Sequence, residues 1–255
     1  MLNKYFPEYI SNVLWGNRKQ FGLIPDVNNP DWKVWEEKGY SDFYINTQHK
    51  GVGKWVANLS YPPVISRLNF GYKRVVEVGP GIMRHLSYIN TRPDKYVICD
   101  VAEKFLKVGR SQLEEMSIPC ECVLLKREEN FSLPFSNNSF DIVLLFNSLE
   151  HLNPIDEYLM EFQRILKHNG QIVGGIPCEG GLAWGLGRFL TTRRYVHKNY
   201  KINYDKIICW EHPNFADFII DRLDAHFKRD HLKLHPFSWL PMDFNLVASF
   251  IYGQN

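Results

Sequence analysis

The stretch Val75-Val76-Glu77-Val78-Gly79-Pro80-Gly81 constrains this chain more than any other. The apolar run fills a buried strand and stops at a carboxylate. Gly79 and Gly81 then free the backbone to take angles a side chain forbids, and let a ligand approach the main chain closely. A second strand ending in an acid follows, Val97-Ile98-Cys99-Asp100. Further on comes Leu133-Pro134-Phe135, running through Phe140-Asp141-Ile142-Val143. Strands alternating with helical patterns predict an α/β fold with a parallel sheet.

The spacing predicts a short helix from Met83 to Asn90, a helix from Ala102 to about Met116 and a strand over Cys122–Leu125. Phe140 to Phe146 is continuously apolar, as a central strand covered on both faces requires. Ile155–Lys167 carries Tyr158, Leu159, Phe162, Ile165 and Leu166 at helical spacing. Gln171–Ile176 reads as strand five, 215–228 as a helix, and about 231–238 and 244–252 as two closing strands. The first 70 residues are rich in aromatic side chains, and Ser41 is placed to cap a helix over Ser41–Leu59. They read as an N-terminal cap, either a lid or a packing appendage, ahead of a main domain over 71–255.

Composition sets bounds. In 255 residues, 45% hydrophobic and 23% charged, there is one sizeable core with elaborations. The net charge of +2 argues against a dedicated nucleic-acid binder. The five cysteines are scattered, with no CxxC and no second pair to complete a zinc site, so buried thiols in a reducing cytoplasm are expected. No apolar run approaches the roughly 20 residues that span a bilayer, so stable membrane insertion is not expected.

The Glu-x-Gly-x-Gly turn, the acid Asp100, the Leu133–Val143 stretch running into Leu149-Glu150-His151-Leu152, and Arg164–Gln171 resemble the Rossmann-like, class I S-adenosylmethionine-dependent methyltransferases. The resemblance covers about residues 70–177. It implies a mostly parallel seven-stranded sheet with an antiparallel last strand, helices on both faces and an insertion after strand five. A nicotinamide- or flavin-binding domain fits less well. Its third glycine falls at position 84, where Arg84 stands. The methyltransferase pattern often has its own third glycine two residues after the second, and Met83 occupies that place.

The resemblance also assigns roles. Glu77, Gly79 and Gly81 frame the methionine end of the cofactor, and Asp100 accepts the ribose hydroxyls. Val101 packs on the adenine, Asn130 and Phe131 lie at its amino group, and Asn147 borders the methyl. No metal is expected, because no Asp…Asp-Asn set follows strand four. A sulfonium methyl is already activated, so the protein must align, exclude water and manage one proton. His151, at the end of strand four, and His212, beside Glu211, are the candidate bases. His85 is expected near the cofactor carboxylate.

The insertion, 178–213, holds Arg193, Arg194 and Tyr195. Arginine forks and aromatic faces suit an anionic, ring-containing small molecule. A compact methyltransferase-like chain with a long Arg/Tyr-rich insertion and a tryptophan-rich leader resembles the bacterial enzymes of surface-polysaccharide biosynthesis, and that resemblance implies O-methylation of a sugar, nucleotide-sugar or phosphorylated precursor, yielding S-adenosylhomocysteine. The alternatives are a quinone or lipid methyltransferase at the membrane surface, with Leu182, Trp184, Leu186, Phe189 and Leu190 dipping into lipid, and a catalytically silent binding module.

Overall fold

The computed structural model describes residues 1–39, 51–126 and 132–254. The apolar runs become seven strands: β1 Arg74–Val78, β2 Lys95–Asp100, β3 Cys120–Leu124, β4 Phe140–Phe146, β5 Leu166–Pro177, β6 Lys228–His235 and β7 Val247–Gly253. Their order is β3-β2-β1-β4-β5-β7-β6. The pairs β1–β2, β1–β4, β2–β3 and β4–β5 are parallel. Strand β7 runs against its neighbours. Cys178 N–H bonds Leu246 O while Gln254 N–H bonds Gly170 O, and Leu246 N–H bonds His235 O. Partner numbers thus fall on one side as they rise on the other. The strand order reverses between β1 and β4, the switch point outside which open α/β sheets bind ligands.

The chain divides into a sheet unit (60–176, 219–233 and 249–255) and a helical unit (1–59, 177–218 and 234–248). In the sheet unit β4 is buried at every position but Asp141, which accepts the Arg74 N–H at 2.9 Å and pairs with Lys167 at 2.8 Å. Tyr61, Val64, Ile65, Leu68 and Phe70 pack into this unit's core. The helix Glu103–Glu115 crosses the sheet closely, because a Cβ at Gly109 would stand 2.9 Å from the Ile98 side chain. The helix expected over Ile155–Lys167 ends at Ile165. Leu166 turns to extended angles and pairs with Phe140 as the first residue of β5, and residues 167–170 bulge out before Gln171 pairs with Ile142. Strand five therefore starts earlier than its apolar pattern shows.

The helical unit is assembled from three stretches of sequence. Trp32, Trp35 and Trp210 form a buried cluster with Tyr204, Ile207 and Ile208. The insertion becomes the helices Leu182–Leu190, Thr192–Tyr200 and Tyr204–Glu211. Trp15 donates its indole N–H to Gly181 O at 3.0 Å, and a Cβ at Gly185 would come within 2.6 Å of that ring nitrogen. Gly185 is thus what allows the helix Glu8–Trp15 to lie against Leu182–Leu190. Of the helix expected over Ser41–Leu59, Gly51–Asn58 is seen, and 40–50 lie outside the described residues.

Candidate active site

At the carboxyl end of β1 the glycine turn has the expected backbone. Gly79 and Gly81 lie at φ +70° and +53°, the left-handed region, and Gly79 N–H extends the ladder to Cys99 O at 2.9 Å. A Cβ on Gly79 would approach the Ser148 Cβ to 3.1 Å. At the end of β4, Asn147 also takes a left-handed angle, φ +51°, held by its N–H on Gly175 O at 2.8 Å. Asparagine tolerates this better than most residues. At the end of β2, Asp100 Oδ1 accepts the Ala102 N–H at 2.8 Å, which fixes the carboxylate's direction. Val101 beside it is exposed. Asn130 and Phe131 lie outside the described residues. His151 ends a short 3-10 turn after β4 and reaches solvent.

Glu77 is turned inward. Its carboxylate is buried and accepts the Tyr96 hydroxyl at 2.6 Å. His85 Nε2 lies 3.0 Å from that hydroxyl and 3.3 Å from the carboxylate. The His85 ring stacks on Phe146, with centroids 5.1 Å apart. Burial, then the Glu77 charge, pushes the Tyr96 hydroxyl well above its ordinary range, so it remains a donor. His85, expected near the cofactor carboxylate, is enclosed in this network beneath the glycine turn. Tyr96→Phe removes a donor from a buried carboxylate. It is expected to cost about 1–3 kcal/mol, read in urea unfolding as a lower midpoint with an unchanged slope.

The helical unit holds His212, Arg193, Arg194 and Tyr195. His212 follows the helix Tyr204–Glu211 and bonds through Nδ1 to the buried carboxylate of Glu179. Arg18 reaches Glu179 at 3.4 Å and His212 O at 2.7 Å. Burial raises the Glu179 pKa, but His212 and Arg18 outweigh it and hold the carboxyl below its ordinary value. A carboxylate on Nδ1 places the imidazole proton there and makes Nε2 the basic nitrogen. Arg193 forks onto Asp205, with contacts of 2.7–2.9 Å, and Arg188 joins the same carboxylate at 3.0 Å. Its guanidinium is committed within the fold. Arg194 is exposed, with its guanidinium over the Phe189 ring, and Tyr195 meets Tyr200 edge-on. Glu179, Arg18 and Asp205 were not anticipated as site residues. Glu179 had a signal, a lone acid closing the apolar run Ile176-Pro177-Cys178.

Residues 76–174 match the family model described as a methyltransferase domain. The demethylmenaquinone methyltransferase of Bacteroides fragilis is 28% identical over 98 residues, 38% of this chain and 40% of that protein. The ubiquinone/menaquinone biosynthesis C-methyltransferase of Burkholderia vietnamiensis is 26% identical over 137 residues, 54% of this chain and 49% of that protein. The chain thus spans half or less of the length of these curated relatives. Among solved structures, the PH0226 protein of Pyrococcus horikoshii aligns with a TM-score of 0.55 at 13% identity, covering 86% of this chain and 99% of that one. An S-adenosylmethionine-dependent methyltransferase of Thermotoga maritima gives 0.53 at 18%, covering 88% and 99%. The structural likenesses show the fold. The segment that the methyltransferase-domain model matches, 76–174, runs from β1 into β5 of this sheet.

Proposed function

We propose that this protein transfers the methyl group of S-adenosylmethionine to a small-molecule acceptor. The reading rests on one observation: Gly79, Gly81, Asp100 and Asn147 all lie at the carboxyl ends of β1, β2 and β4, around the switch point. These residues fit the cofactor. The glycines hold the left-handed backbone that the turn needs, the Asp100 carboxylate stands at the end of β2 with its Oδ1 on the Ala102 N–H, and Val101 offers an exposed apolar side chain. When bound, the sulfonium supplies an activated methyl. The protein's part is to orient the acceptor, exclude water and take up a proton. His151 is assigned that proton, with His212 as the second candidate. His151→Ala is expected to lower kcat by about 100-fold or more with cofactor Kd unchanged. A normal rate would remove His151 as the base.

An apolar, ring-containing acceptor of the quinone type has the better support. The matched segment is shared with proteins named for quinone methylation, and Arg193, expected to hold a substrate anion, is neutralised by Asp205. O-methylation of a sugar, nucleotide-sugar or phosphorylated polysaccharide precursor is the second reading, supported by exposed Arg194 next to Tyr195 in the insertion. The test is calorimetric titration with S-adenosylmethionine, then turnover with demethylated quinones and with nucleotide-sugars. Cofactor binding without turnover on any acceptor would favour a silent binding module, and no cofactor binding would overturn the proposal.

A further inference from the structure

We infer that the helical unit carries a docking face for an anionic lipid bilayer. The first part of that face is the loop between β6 and β7. Phe237 and Trp239 point into solvent with their rings 6.3 Å apart, and Trp239 is 79% exposed. A loop that shows aromatics to water is usually mobile or collapsed. Here the fully buried side chain of Asn245 clamps it. Its Oδ1 accepts the Phe237 N–H at 2.8 Å, and its Nδ2 donates to the carbonyls of Phe237, Leu240 and Pro241 at 3.0 Å each. The rings are held out in advance, so little ordering remains for binding to oppose. An indole offers an apolar body and a polar N–H, the chemistry enriched at the headgroup level.

The second part adjoins it. A Cβ on Gly181 would stand 3.1 Å from Asp243 Cα, so the helix Leu182–Leu190 starts against the turn Met242–Phe244. That helix exposes Leu186 and Leu190, while Leu182, Trp184 and Phe189 are half-buried. The next helix exposes Arg194, His197 and Lys198, with Lys201 just past its end. The sequence has no Asp or Glu from Gly180 to Tyr204. The single carboxylate of Asp205 is already shared by Arg188 and Arg193. Among the described residues no acid pairs with Arg194, Lys198 or Lys201, so the face carries a net positive charge beside its apolar side chains.

Apolar tips beside clustered cations complement an anionic bilayer. A single-stranded nucleic acid calls instead for exposed rings along the cationic groove; here the rings beside the cations, Phe189, Tyr195 and Tyr200, are half-buried, and the exposed neighbours are Leu186 and Leu190. Among the described residues no helix is long and apolar enough to cross a membrane, and the contact proposed is peripheral. It depends on neither acceptor reading.

The test is co-sedimentation of the full chain with vesicles of phosphatidylcholine alone and of phosphatidylcholine mixed with phosphatidylglycerol. The chain should bind the anionic vesicles, more weakly as salt screens the charges. Phe237→Ser with Trp239→Ser, and separately Lys198→Glu with Lys201→Glu, should each lower the partition coefficient about tenfold or more while keeping the wild-type melting temperature. Equal binding to both vesicles, no binding, or variants that bind as the wild type would overturn the inference. So would retention of a single-stranded RNA probe in a gel shift without vesicle binding. Titration with S-adenosylmethionine in the absence of vesicles reads the methyltransferase proposal separately, so the two can fail independently.

Discussion

Replacing Asp100 by alanine is expected to raise the Kd for S-adenosylmethionine about a hundredfold, the largest effect any single cofactor-side substitution should give. Asp100 stands at the carboxyl end of β2, and its Oδ1 is fixed by the Ala102 N–H at 2.8 Å. Hydrogen bonds to a charged group are worth about 1.5–3 kcal/mol each, and a hundredfold change corresponds to about 2.7 kcal/mol. The expected loss is therefore modest for two such bonds. Asp100→Asn keeps the shape and one acceptor but loses the charge, so it should fall between, at about tenfold. Calorimetric titration reads both variants, and a melting curve checks that each stays folded. The side chain is only half-buried, so the fold should tolerate both changes. Wild-type affinity in Asp100→Ala would take this residue out of the cofactor site.

The features that make Asp100 predictable are local ones. Each parallel strand is a short apolar run, and the turn after β1 needs glycine at two left-handed positions, 79 and 81. Such requirements are written in neighbouring residues, so the sheet and its carboxyl edge could be read directly. Features made by residues far apart in sequence could not. Glu77 looked like a ligand-facing acid, yet its carboxylate is taken up by Tyr96, 19 positions on. Arg193 looked like an anion fork, yet Asp205 occupies it from the next helix. In both cases the residue type was informative about charge and silent about the partner. The helical unit is harder still, since Trp15 finds Gly181 across 166 positions. The sequence marks an aromatic-rich leader and an insertion, but nothing local tells that the two share a core. The extra residues of β5 were hidden for another reason. Leu166 belongs to a helical apolar stripe and to a strand pair at once, and the pairing with Phe140 prevails.

Glu179→Ala is expected to destabilise the protein by about 3–5 kcal/mol, the cost of breaking a buried ion pair by removing one partner. The substitution leaves the largely buried Arg18 guanidinium, 3.9 Å above the Phe215 ring, without its carboxylate, and His212 without its partner on Nδ1. Burial lowers the Arg18 pKa, but a guanidinium does not neutralise in a protein, so the charge stays. Urea unfolding at neutral pH reads the effect. Acid gives a second reading. The folded-state pKa of Glu179 lies below its ordinary value, so its contribution is present above the unfolded value of about 4.3 and is lost as pH falls through the folded value. Wild-type stability should therefore drop in that acid window, and Glu179→Gln should show a shallower drop because the linked proton is gone. The amide variant also separates support from chemistry. It keeps the side-chain volume, but its NH₂ can donate to Nδ1, which would move the imidazole proton to Nε2. A variant that is stable yet turns over slowly would show that Glu179 sets the tautomer of His212. Unchanged turnover together with reduced stability would confine the Glu179–His212–Arg18 network to holding the helical unit together.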